Sequence, residues 1–211
     1  MKIPVQLWVR LKVIDLVTQT AWMTLVEKLN FADRLRGLTH YWYWGMEAEG
    51  ADAKGICAEI DRVIRLDSAF TNQNKHLYRI EAGQGPGRGD LSLENDLRVS
   101  RDASGSGDIF AFDCLVRERR PDRETGFTDR LNARLRGVTV SRMKYGEVWR
   151  LLVSASSRED ALGDVERMLV SRSRREGLLL NPHYQTYEII ATTRVNAHHP
   201  PAPAGAKEGE A

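Results

Sequence analysis

The chain has 211 residues, 42% of them hydrophobic and 28% charged, which suits one large core or two smaller ones and excludes a disordered chain. Lys and Arg number 31 against 29 Asp and Glu, and a net charge of +2 is too weak to point to a nucleic-acid or acidic partner. Lys2, Pro4 and Arg10 interrupt the start before an apolar signal core could form, and no run approaches the ~18 residues of a membrane span, so a cytoplasmic protein without membrane contact is expected.

The first element is a strand. Ile3, Val5, Leu7, Val9, Leu11 and Val13 alternate with Lys2, Gln6, Arg10 and Lys12, the period of a half-buried antiparallel strand. From Asp15 the period changes, and Trp22, Leu25, Val26 and Leu29 share one helical face that ends near Asn30. Residues 38–48 are aromatic and β-forming, and Gly45 is expected to turn them into a hairpin. Ile56, Ile60, Val63 and Ile64 mark a second helix, and residues 76–81 a closing strand.

The order then returns. Residues 109–116 read as a strand, Phe127, Leu131 and Leu135 as a helical face, residues 138–155 as a hairpin turning near Gly146, Leu162, Val165, Met168 and Leu169 as a helix, and residues 184–191 as the last strand. Leu35-Arg36-Gly37-Leu38-Thr39 recurs as Leu135-Arg136-Gly137-Val138-Thr139, and Asn72, Tyr78 and Ile80 recur as Asn181, Tyr187 and Ile189. These matches are offset by 100 and 109 positions, which implies nine residues gained between them. The expected fold is α+β: two tandem ferredoxin-like βαββαβ units with antiparallel sheets, packed as an internal pseudo-dimer. The units are assigned to residues 1–82 and 108–195, with a Gly/Ser-rich flexible linker over 83–107 and a disordered tail over 196–211.

No catalytic, cofactor or metal site is expected. Cys57 and Cys114 lack CxxC spacing and neighbouring histidines, and read as buried free thiols. His198 and His199 sit on the tail without further ligands. The glycines of 83–89 lack the Gly-Lys-Ser/Thr ending of a phosphate loop. Arg172, Arg174 and Arg175, and the carboxylates Asp160, Asp164 and Glu166 or Glu47 and Glu49, read as solvated charge. The aromatic run 41–44 raises a single-stranded RNA platform as one alternative, although the ribonucleoprotein motif is missing. A ligand-sensing regulatory pair is another, and its sign would be a polar pocket at the junction of the copies.

Leu179-Leu180-Asn181-Pro182, followed by Tyr187-Glu188-Ile189, together with Arg142-Met143-Lys144-Tyr145 and Val9-Arg10-Leu11-Lys12, resembles the PurS family, the small subunit of bacterial phosphoribosylformylglycinamidine synthase. The resemblance spans both copies. The first copy departs from it, with Gln73 in place of the proline and His40-Tyr41-Trp42-Tyr43-Trp44 in place of the basic strand, and the family's subunit is a single self-associating domain. What the resemblance implies is a non-catalytic accessory subunit of purine biosynthesis. It would bridge glutaminase and synthetase subunits so that ammonia passes between them, and whether the whole chain forms a homodimer is left open. By the same resemblance, Arg142, Lys144, Tyr145, Asn181, Pro182 and Tyr187 are the expected partner interface.

Overall fold

The computed structural model describes residues 1–83, 87–93, 107–120, 122–173 and 176–195. In chain order these form β1 (Lys2–Leu11), α1 (Leu16–Met23) with a wider-wound continuation (Thr24–Lys28), β2 (Leu35–Glu49), α2 (Ala53–Leu66), β3 (His76–Ala82) and the short β4 (Arg88–Gly89). The second half supplies β5 (Asp108–Glu118), α3 (Asp122–Asn132), β6 (Thr139–Ala155), α4 (Arg158–Leu169) and β7 (Gln185–Val195). The strands make one seven-stranded sheet in the order β4-β3-β1-β2-β6-β5-β7, every neighbour antiparallel. The α+β class and the antiparallel sheet are as the alternation implies.

The hairpins are not. Residues expected to fold back at Gly45 and Gly146 run straight through as β2 and β6, so each copy is βαβαβ. Both glycines sit inside the sheet, Gly45 opposite Gln6 and Lys144, Gly146 opposite Tyr43. Glycine there admits close neighbours: a Cβ on Gly146 would lie 2.4 Å from the Val116 carbonyl oxygen, and one on Gly45 3.0 Å from the Tyr43 ring. The two four-stranded sheets are thus replaced by a continuous sheet, joined where β2 pairs with β6 from Leu35↔Val153 to Glu49↔Thr139.

One of the two repeat matches is in register. Asn72 and Asn181, 109 positions apart, build the same turn: their amides donate to His76 Nδ1 (3.1 Å) and Gln185 Oε1 (2.9 Å). Their side-chain oxygens accept from the amides of Asn74 and His183, each at 3.0 Å. At the second helix the copies are 105 positions apart, as Asp52 capping α2 and Ser157 capping α4 show. Four residues, the difference of 109 and 105, were gained between the second helix and the last strand, not nine. The 35–39 and 135–139 match is fortuitous, because Gly37 lies in β2 opposite Leu152 whereas Gly137 precedes β6 in a left-handed turn (φ 68°).

The helices cover one face of the sheet, and the first helix of each copy is exchanged while the second stays with its own strands. One core combines β1, β2, β3 and α2 with Leu131 and Phe127 of α3, together with Val140 and Met143 of β6. The other combines β5, β6, β7 and α4 with Ala21 and Leu25 of the first helix and Leu35. The copies therefore interlock, and neither core is built from one copy alone. Leu25 and Leu131 have no exposed surface, and each such side chain contributes about 2 kcal/mol of transfer free energy. A polar latch adds to this: Arg130 of α3 makes a bidentate pair with Asp67 after α2 (2.6 and 2.7 Å), and Arg134 joins at 2.8 Å. Arg130 first of all holds the Asp67 carboxyl below its ordinary range, against burial.

The second face carries Trp8, Tyr41, Tyr43, Leu115 and Val148, packed with Leu91. The described part of the expected flexible linker is thus built into the fold. Leu91 is buried, its amide donates to the Tyr78 carbonyl (3.0 Å), and the Leu93 carbonyl accepts from Arg150 (2.7 Å). Beneath it Arg150 and Asp113 form a buried bidentate pair at 2.7 and 2.8 Å. The rest of the linker, Arg174 and Arg175, and the tail with His198 and His199 lie outside the described residues. Cys57 and Cys114 are free and buried, and burial pushes the Cys114 thiol up to about 12. Among the described residues no helix is long and apolar enough to cross a membrane.

Candidate functional site

The six residues singled out in the second copy do not form one surface. Arg142 and Lys144 are exposed on one side of β6, Lys144 bound to Glu188 at 2.9 Å. Tyr145 points to the helix side, where its ring meets Trp44 (5.1 Å) and Phe127 (5.0 Å). Asn181 makes the turn before β7, and the Pro182 carbonyl accepts two hydrogen bonds from Arg119 (3.2 and 2.9 Å). Tyr187 is half-buried and donates its hydroxyl to Glu166 (3.1 Å), as Tyr78 donates to Asp61 (2.6 Å) in the first copy. Most of the aromatic run is buried as well: Tyr41, Tyr43 and Trp44 are all under 7% exposed and Trp42 is half-buried. They present no platform for stacking bases.

The helix side of the second copy holds a cavity of about 70 Å³, lined by Val116, Glu118, Glu124, Tyr145, Gly146, Glu147 and Gln185. Strand pairing places these side chains. Val116 faces Glu147 on one neighbour and Tyr187 on the other, and Glu118 faces Gln185. In the first copy Val9 faces Trp42 and Tyr78, and Leu11 faces His76. Trp42, His76 and Leu11 therefore occupy the positions of Glu147, Gln185 and Glu118. The first corner is occupied by rings in contact, Trp42 and His76 tilted 46° to each other with centroids 5.2 Å apart. The second is open and acidic.

Three carboxylates meet the cavity under different restraints. Glu124 Oε1 accepts from Arg117 (2.6 Å) and from the Tyr145 amide (3.0 Å). Glu118 has no ion pair among the described residues. Glu147 reaches back across the junction to His40 of the first copy, whose Nε2 lies 3.6 Å from Glu147 Oε2 and whose Nδ1 lies 3.1 Å from Asp15 Oδ2. His40 is 7% exposed, lies against Trp149 with ring centroids 4.6 Å apart, and meets Trp42 edge-on. Burial raises the Asp15 carboxyl, but hydrogen bonds from Thr18, the Val17 amide and His40 outweigh it and leave it below the ordinary value. His40 likewise holds Glu147 below the usual glutamate range, against burial.

This Asp15–His40–Glu147 array was not legible beforehand, because its members come from the cap of α1, from β2 and from β6. The run of aromatics beside His40 was the only signal. Chemically the corner can accept hydrogen bonds and stabilise positive charge. Comparison with protein-family models, with curated proteins and with solved structures found no match to this chain.

Proposed function

We propose that this protein is a non-catalytic accessory subunit that works by holding other proteins together, and that it serves a phosphoribosylformylglycinamidine synthase by bridging glutaminase and synthetase subunits. The observation that carries the assembly role is an apolar run left in solvent: Val13 (71% exposed), Ile14 (76%), Leu16 (71%), Val17 (59%) and Met23 (47%), on α1 and the turn before it. Contiguous exposed apolar surface of this kind marks interaction sites. The purine assignment rests on the resemblance of 179–189 and 142–145 to the PurS family. It is supported by the pairing of β2 with β6, which gives one chain the association that the resemblance ascribes to separate copies. In this reading each copy is a ferredoxin-like unit short of one strand, and the other copy's long strand fills the gap.

The test is capture of the tagged full-length chain from its native host. Glutaminase and synthetase subunits should be recovered with it, and a Leu16→Asp/Val17→Asp variant of unchanged thermal stability should lose them. If purified subunits run glutamine-dependent amidation at the same rate with and without the chain, the reading fails. A second reading, a ligand-responsive regulatory pair, is favoured by one observation, the acidic cavity beside the junction.

A further inference from the structure

A groove of about 450 Å³ opens where the copies meet, between the C-terminal half of α2 and the turn that follows α3. Its size falls in the range of small-molecule sites, about 300–1,000 Å³. Two kinds of surface line it. Val63, Leu66, Ala133 and Leu135 are apolar, and Leu66 is 74% exposed although the residues before it form the buried stripe of α2. The only charged lining residues among the described ones are three arginines, Arg62, Arg134 and Arg136.

These arginines are fixed in place, yet the carboxylates that fix them are already committed. Glu59 accepts from Arg62 (2.9 and 2.6 Å) and from the Arg136 amide (2.8 Å), while Arg62 also donates to the Arg134 carbonyl (2.7 Å). Asp67 receives both Arg130 and Arg134. The Arg136 side chain has no ion pair among the described residues, so positive charge stands unanswered beside open apolar surface. The corresponding place on α4 differs. Arg167 pairs with Asp164 at the spacing of Arg62 with Glu59, but its guanidinium lies over the buried ring of Phe31, 5.9 Å from the centroid. Arg62 has no such ring among the described residues.

We infer that this groove binds a small aromatic carboxylate, its ring on Leu66 and Leu135 beside the Arg62 guanidinium and its carboxylate received by Arg136 with Arg134. The planar guanidinium fork matches a carboxylate, and a ring beside a guanidinium adds attraction for the charge, as Phe31 does at Arg167. A simple anion gains nothing from the apolar lining, and a neutral ring gains no ion pair from the arginines, so the two surfaces together select the class. The lining comes from both copies, and an occupied groove therefore adds to the latch made by Asp67. The inference does not rest on the assembly role, since the groove shares no residue with the exposed α1 run.

Sodium phenylacetate, titrated into the full-length chain at neutral pH and followed by amide NMR, tests it against sodium acetate, which lacks the ring, and phenylethanol, which lacks the charge, at equal ionic strength. Phenylacetate should give saturable shifts centred on Leu66 and Arg136, and neither control should. Arg136→Gln keeps the backbone amide that Glu59 accepts, and Leu66→Ser alters an exposed side chain, so both should fold as the parent does. Each should weaken binding roughly tenfold, the size of a lost charge-assisted hydrogen bond in one case and of lost apolar burial in the other. Absence of saturation, an equal response to acetate or to phenylethanol, or parental affinity in either variant would overturn the site. None of these outcomes touches recovery of protein partners, so the two proposals fail separately.

Discussion

In the first copy the corner between the outer strands is packed with Leu11, Trp42 and His76; in the second the matching positions hold Glu118, Glu147 and Gln185 around open space. The contrast shows that a duplicated framework can keep its backbone while its halves specialise. Turns, helix caps and the tyrosine-to-carboxylate hydrogen bond are shared by both halves, so they belong to the framework. The corner is not shared: rings occupy it in the first half and carboxylates line it in the second.

The largest expected effect concerns the framework. Leu131→Ala and Leu25→Ala each remove a fully buried side chain from the other copy's core, and each should cost about 2–5 kcal/mol. Because the helices are exchanged, each variant should still unfold in one cooperative transition by tryptophan fluorescence and by circular dichroism. Two separated transitions would mean that the copies stand alone.

Next in size is the corner itself. Trp42→Ala should lose about 3 kcal/mol in urea unfolding, since its ring is packed between His40 and His76. Glu147→Gln at the equivalent place should lose under about 1 kcal/mol, because Glu147 is half exposed. Equal losses would erase the distinction between a packed corner and an open one.

The latch between copies comes third. Asp67→Asn should cost about 2 kcal/mol at neutral pH, the range for hydrogen bonds to charged groups. The native Asp67 carboxyl titrates below its ordinary value, and Glu59, bound by Arg62, falls to about 2. Their stabilisation is therefore fully present above about pH 5 and is lost as pH falls through the lowered values. The Asn variant should show a shallower acid limb in stability measured from pH 5 to pH 2. The smallest effect compares the caps: Asp52→Ala and Ser157→Ala should each cost about 1 kcal/mol.

Much of the framework was legible. Period-2 alternation located β1, and Ile56, Ile60, Val63 and Ile64 located the buried stripe of α2, because both patterns report burial on one face. Gly45 and Gly146 misled, since a glycine that admits a close neighbour inside a strand looks the same in sequence as one that makes a turn. The 35–39 and 135–139 match misled for a different reason: a short run can recur without sharing a place in the fold, whereas Asn72 and Asn181 share hydrogen bonds. Of the expected interface, Tyr145 does reach the cavity, while Arg142 and Lys144 lie on the other side of the sheet. The corner was hidden because Asp15, His40 and Glu147 meet only once β2 pairs with β6.

The exchange of helices also sets the order in which this protein can be finished during synthesis. When a ribosome has made only the first half, β1, β2, β3 and α2 have emerged without Phe127 and Leu131, the side chains that complete their core. The first helix meanwhile offers Leu25 to strands that do not yet exist. The nascent chain must hold two unfinished apolar surfaces: the first is completed when α3 and β6 follow, the second only when α4 and β7 do.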